Sequence, residues 1–301
     1  MKLRISPLKF VDLSILTISA IIFLLIPITP PTNPPQVKSA TTTALLIPRA
    51  KLAAAPAPDL TANGIYIFDP DSGTQIYEKN SDGHFYPAST TKLMTALVSL
   101  GAYDLNQVLT IKSAGGALGS AIHLSFGDKL TVENLLYGLL VDSGNDAAVT
   151  LAENHPGGYS AFIARMNQKA QELNLKSTHF TNVTGLYNPD HYTSAADLTI
   201  IAREAIANAT IRKIVSTKSI TFTDITGTKK FVIESTNKLL GLEGVKGLKT
   251  GWTPESGECL VTLVTRDGKS VLITLLSSTD RFGESTKLIN WVYDNFDWKQ
   301  I

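Results

Sequence analysis

From Leu93 onward the chain places Leu93, Met94, Ala96, Leu97 and Leu100 at helical spacing, which predicts an amphipathic helix entered through Tyr86-Pro87-Ala88-Ser89. Ahead of it, Ile65–Phe68 and Thr74–Tyr77 flank the turn sequence Asp69-Pro70-Asp71-Ser72-Gly73 and read as a β-hairpin. Leu105–Ile111 and Ala121–Leu124 are short strand-like or irregular pieces. From Thr131 to Asn174 the helical period returns. It is carried by Val132, Leu135, Leu136 and Leu139, then by Ala147 to Glu153, then by Phe162, Ile163, Met166 and Ala170. The loop Asp142–Asp146 separates two of these helices. A further helix over 195–209 puts Leu198, Ile201, Ala202 and Ala205 on one face. Gly247–Thr253, Glu258–Arg266 and Ser270–Ser277 then read as a strand meander turned at Asp267-Gly268, and a last helix over 284–296 carries Leu288, Ile289, Val292 and Phe296. Strands thus come from both ends of the domain, with a helical block between them. That order predicts an α/β sandwich with an all-helical subdomain and a groove between the two.

The N-terminal region follows another pattern. Lys2, Arg4 and Lys9 precede an apolar run from Leu13 to Ile28, which makes residues 11–29 a membrane anchor or signal peptide. The charge asymmetry puts residues 1–10 in the cytoplasm and everything beyond the run outside, so the expected location is the cell membrane with the folded domain facing outward. Over 30–58, Pro30, Pro31, Pro34, Pro35, Pro48, Pro56 and Pro58 supply half of the 14 prolines and mark a stiff linker. The folded domain is then expected over 59–301, with packing of Ala44-Leu45-Leu46-Ile47 back onto it as the competing reading.

Composition narrows the function. With 301 residues, 44% of them hydrophobic, the chain can bury a large core. A net charge of +1 without blocks of like charge argues against nucleic acid as a partner. The single cysteine, Cys259, excludes an intramolecular disulfide and, inside the run Cys259-Leu260-Val261, reads as a small core residue. The scattered histidines give no metal or cofactor signature; His123, His155, His179 and His191 read as surface or loop residues.

Chemistry is carried by three short motifs. Ser89 and Lys92 stand one turn apart at a helix start, where an amine kept neutral by its neighbours can act as base to a serine nucleophile. The free backbone N–H groups of a helix start can also polarise an incoming carbonyl. Ser143-Gly144-Asn145 follows in an interhelical loop, and Lys249-Thr250-Gly251 on a strand. This triple set, in this order, is the signature of penicillin-binding proteins and class A β-lactamases. Taken singly, Lys249 reads as a solvated lysine, Asn145 as a turn former and Asp146 as the cap of the following helix.

With Phe180-Thr181-Asn182 and Gly185-Leu186 added, the chain resembles the serine-type D-alanyl-D-alanine carboxypeptidases, the low-molecular-mass penicillin-binding proteins, over most of the predicted domain. The resemblance implies a β-lactamase/transpeptidase-like sandwich, an antiparallel sheet flanked by helices. It implies that Ser89 attacks the carbonyl between the two terminal D-alanines of a peptidoglycan stem peptide, that an acyl-enzyme forms, and that β-lactams inhibit by acylating Ser89. Lys92 would serve as base, helped by like-charge repulsion from Lys249. Ser143 would relay a proton to the leaving amine, and Asn145 would hold the substrate backbone or orient Lys92. Lys249 and Thr250 would bind the substrate's terminal carboxylate, and Gly251 would leave room for a peptide along the strand edge. The backbone N–H groups of Ser89 and Trp252 would form the oxyanion hole, and Arg281 resembles a carboxylate-binding arginine. A class A β-lactamase glutamate is not matched: Glu204, four residues before Asn208, falls within a predicted helix. A D,D-endopeptidase acting on cross-links, and a membrane-tethered binding module without turnover, remain the alternatives.

Overall fold

Two stretches near the C-terminus, Gly257–Arg266 and Lys269–Ser278, are apolar at successive positions rather than alternate ones, which requires a sheet covered on both faces. The computed structural model describes residues 45–113 and 118–300. In chain order the elements are β1 (Leu46–Ala50), β2 (Gly64–Asp69), β3 (Thr74–Lys79), α1 (Lys92–Ala102), β4 (Val108–Thr110), β5 (Lys129–Thr131), α2 (Val132–Leu140), α3 (Asn145–Glu153), α4 (Gly158–Glu172), α5 (Ala195–Ala207), α6 (Ala209–Val215), β6 (Ser219–Thr223), β7 (Lys230–Glu234), β8 (Val245–Thr253), β9 (Gly257–Arg266), β10 (Lys269–Ser278), α7 (Arg281–Asn295) and β11 (Phe296–Gln300).

Strands from the two ends of the domain meet in one five-stranded sheet of order β3-β2-β10-β9-β8, antiparallel throughout. The two-residue period of a strand sorts its side chains. Ile65, Ile67, Val271, Ile273 and Leu275 pack with Leu288, Ile289 and Val292 of α7 on one face. Leu248, Cys259, Val261, Leu263, Leu272 and Leu276 join the large core of the helical layer on the other. There the buried hydroxyls of Thr199 on α5 and Thr274 on β10 satisfy each other at 2.6 Å. The helical block, α1 to α6 with the small hairpins β4-β5 and β6-β7, occupies the chain between β3 and β8.

The fold is thus the mixed α/β sandwich with an inserted helical block that the pattern predicts, with local differences. Ala121–Leu124 is not a strand: the Ile122 and Leu124 N–H groups donate to the Asp146 carboxylate instead of to a ladder. The helix expected over 195–209 breaks at Asn208, whose side chain accepts from the Thr210 and Ile211 N–H groups and so starts α6. The linker expected over 30–58 is shorter on its C-terminal side. Leu46–Ala50 pairs antiparallel with Phe296–Gln300, so this segment belongs to the folded unit and lies ahead of the expected start at 59. The run over 11–29 and residues 30–44 lie outside the described residues.

Candidate active site

Ser89 belongs to a single 3-10 turn, Ala88–Thr91, that runs directly into α1. Three residues per turn eclipse positions i and i+3, so Ser89 and Lys92 face the same way. The Lys92 Nζ donates to Ser89 Oγ at 2.9 Å and to the Thr184 carbonyl at 2.9 Å. The Lys92 side chain is 0% exposed. Burial first, then the Lys249 charge, hold its amine well below the ordinary lysine value, against an opposing pull from Asp146. An amine in that state, hydrogen-bonded to the hydroxyl, can act as a base for the serine.

The Thr184 carbonyl is aimed by its own loop. Asn182 Oδ1 accepts from the Thr184 and Gly185 N–H groups at 3.1 and 2.8 Å, while its Nδ2 donates to the Leu186 carbonyl at 2.9 Å. Gly185, at φ +85°, closes this loop onto the nucleophile turn so tightly that a Cβ there would lie 1.7 Å from the Ala88 carbonyl oxygen.

The second motif sits where α2 gives way to α3. Ser143 is buried and held at φ +65°, a conformation that residues other than glycine seldom adopt. Asn145 donates through Nδ2 to the Leu118 carbonyl and through its backbone N–H to Ser120, at 2.7 Å for the latter. Its Oδ1 is buried without a partner. Asp146 does not cap α3, which starts at Asn145 after Gly144 without a side-chain cap; it sits in the first turn, accepts from the Ala147 N–H at 2.9 Å, and ties down Ile122 and Leu124.

Lys249 and Thr250 lie on β8, the edge strand of the sheet. Lys249 is 1% exposed and donates to the Thr250 carbonyl at 3.0 Å. Burial first, then the Arg281 charge, bring its amine down to about 7, with Asp142 pulling the other way. The isolated reading of Lys249 as a solvated lysine therefore fails. Thr250 Oγ1 is 2.7 Å from Thr236 Oγ1. The glycine at 251 has a packing reason beside the expected one: a Cβ there would come within 3.0 Å of Ala88 Cβ, the Pro87 carbonyl and the Ser89 nitrogen. Its bareness lets β8 pack directly beside the nucleophile turn. Arg281 donates through Nη1 to the Gly251 carbonyl at 2.8 Å, so it braces the same strand.

Ser89, Asn145, Thr184, Gly185, Trp252 and Glu255 line a cleft of about 620 Å³. Trp252 is 59% exposed at its rim. Glu204 is elsewhere, paired with Lys169 at 2.8 Å.

A family model described as D-alanyl-D-alanine carboxypeptidase matches residues 50–279. The chain belongs to this family. A D-alanyl-D-alanine carboxypeptidase from Streptomyces sp. strain K15 is 38% identical over 276 residues, covering 83% of this chain and 95% of that protein. The carboxypeptidase DacF of Bacillus subtilis is 35% identical over 246 residues, covering 78% of this chain but 63% of its own length. Among solved structures, the Streptomyces K15 DD-transpeptidase superposes with a TM-score of 0.75 at 37% identity, covering 80% of this chain and 100% of that one.

Within this carboxypeptidase fold two supports of the Ser89–Lys92 pair have no signal in the motifs, the Thr184 carbonyl and His191. His191 lies in a loop, as expected, but it is not a surface residue: it is 1% exposed. Its Nδ1 accepts from the Thr181 N–H at 3.0 Å, which leaves the proton on Nε2 to reach Thr91 Oγ1 at 2.9 Å. Burial pushes its imidazole down to about 3. It joins the nucleophile turn to the loop that carries Thr184. No spacing rule links residues 100 positions apart, so only the fold could show it.

Proposed function

We propose that this member of the D-alanyl-D-alanine carboxypeptidase family removes the terminal D-alanine of peptidoglycan stem peptides through an acyl-enzyme on Ser89. The observation that carries this reading is the 2.9 Å contact between Ser89 Oγ and a wholly buried Lys92 amine. Lys92 takes the Ser89 proton as Oγ bonds to the carbonyl carbon, and the oxyanion is received by the Ser89 and Trp252 N–H groups. The carbon–nitrogen bond breaks as the proton passes, through Lys92 and Ser143, to the leaving D-alanine amine. Water then attacks the ester, again with Lys92 as base, and releases the shortened peptide and Ser89.

Lys249 and Thr250 receive the terminal carboxylate, and the unpartnered Asn145 Oδ1 accepts from a substrate amide. Arg281 acts through β8, holding the Gly251 carbonyl and lowering Lys249. Glu255 is the carboxylate on the cleft lining, at the rim beside Trp252. With Glu204 paired to Lys169 outside the cleft, we expect β-lactams to acylate Ser89 and leave slowly. The apolar run over 11–29 would tether the enzyme to the membrane with this domain outside the cytoplasm.

A second reading follows from the K15 neighbour, a DD-transpeptidase: an amine in place of water would make the same acyl-enzyme a transpeptidase. The test is labelling with a fluorescent penicillin beside Ser89→Ala, followed by D-alanine release from a pentapeptide with and without glycine as acceptor. Label on wild type alone, with D-alanine and free tetrapeptide released, is expected. A glycine-capped product would favour transfer, label without release would favour the cross-link endopeptidase, and no label on folded protein would refute the acyl-enzyme.

A further inference from the structure

A second cleft, of about 710 Å³, opens where the β2-β3 turn, α5, α6 and the early part of β8 come together. Lys246 on its lining precedes Gly251 by five residues of β8, or about 16 Å along the strand, so this cleft is not the Ser89 site. Its lining carries Arg203, Arg212, Lys213 and Lys246 against a single carboxylate, Asp71. Lys213 is paired with Glu133 at 3.0 Å. Among the described residues, Arg203, Arg212 and Lys246 have no ion-pair partner.

Two of these three charges are held in place, and the third stands on a fixed strand position. Arg203 lies over the Phe68 ring at 5.5 Å, which orients its guanidinium without neutralising it. Arg212 Nη1 donates to the Ile206 and Ala207 carbonyls at the end of α5, leaving its other N–H donors unused by that contact. Lys246 is the extra residue of a β-bulge: Val245 opposes Val264 and Gly247 opposes Leu263. Gly247, at φ +129°, lets the strand close to the end of α6, where a Cβ would meet the Val215 carbonyl at 2.8 Å. Leu263 and Val215 provide an apolar floor, and Ser216, Thr265 and Ser270 provide hydroxyls.

We propose that this cleft binds a phosphate-bearing organic anion. Two oriented guanidiniums and an ammonium match the several oxygens of a phosphate, while the apolar floor takes the adjoining organic group. The phosphate can come from a soluble or polymeric glycerol phosphate or from a lipid headgroup, and the two sources are separable.

The test uses the full chain in neutral detergent, titrated calorimetrically with sn-glycerol 3-phosphate, with short-chain phosphatidylglycerol, and with succinate. Arg203→Gln combined with Lys246→Gln removes two of the charges while leaving Arg212 of α6 and its bonds to the end of α5 intact. Phosphate binding that weakens at least tenfold in the double variant, with penicillin labelling of Ser89 within twofold of wild type, is expected. Binding of glycerol phosphate alone, or of the lipid alone, with the same loss in the variant supports the site and identifies the source. Absence of binding to either phosphate, undiminished binding in the variant, or equal affinity for succinate overturns it.

Discussion

Replacing Lys249 with methionine is expected to stabilise the folded chain while disabling it. Lys249 is 1% exposed, and its amine falls from 10.5 to about 7, chiefly through burial. At about 1.4 kcal/mol per pH unit, the folded state carries roughly 5 kcal/mol of destabilisation from this one charge whenever the amine is protonated. Methionine keeps the unbranched stem and removes the charge. The lost bond to the Thr250 carbonyl returns about 1–2 kcal/mol, so the expected net gain is roughly 3–4 kcal/mol, or about 6–12 °C in melting temperature for a domain of this size.

The sign depends on pH. The unfolded chain holds the Lys249 proton up to about 10.5 and the folded chain only up to about 7. Wild-type stability therefore rises with pH between those values. The variant's advantage is full at pH 6 and gone by about pH 9.5, where the lost hydrogen bond offsets what remains. Thermal unfolding followed by circular dichroism at pH 6, 8 and 9.5 measures this, with fluorescent-penicillin labelling alongside to show the loss of acylation. A melting temperature at pH 6 equal to or below wild type, or an advantage that persists unchanged at pH 9.5, would refute the reasoning.

Gly185→Ala is expected to destabilise by more than about 3 kcal/mol and to slow labelling sharply, because its Cβ would lie 1.7 Å from the Ala88 carbonyl at a φ of +85°. Full labelling at an unchanged melting temperature would show that this loop does not hold Lys92. His191→Gln addresses acid stability. The imidazole sits at about 3 folded against 6.5 unfolded, so its contribution is present above pH 6.5 and lost as pH falls toward 3. Urea unfolding at pH 7, 5 and 4 should show a flatter fall with acid in the variant, and identical slopes would exclude His191 as the sensitive group.

Much of the molecule was legible from local pattern. The three motifs, the helices with repeated apolar faces and the doubly buried strands β9 and β10 are written in short windows of sequence, where spacing alone states which side chains share a face. Even there, the Ser89–Lys92 spacing resolved as a 3-10 turn rather than a turn of α-helix, a distinction of backbone that i, i+3 spacing does not make. Other features are set by pairs of residues far apart in the chain. The β1-β11 pairing, the Asp146 carboxylate that replaces a strand ladder, the Thr184 carbonyl under Lys92 and the His191 bridge to Thr91 are all of this kind. The same holds for the chemistry: residue types at positions 92 and 249 name two lysines, but only their enclosure by the rest of the fold lowers both amines. Propensity and periodicity act within a turn or two of chain, whereas burial and electrostatics depend on everything brought within a few ångström of a side chain by folding.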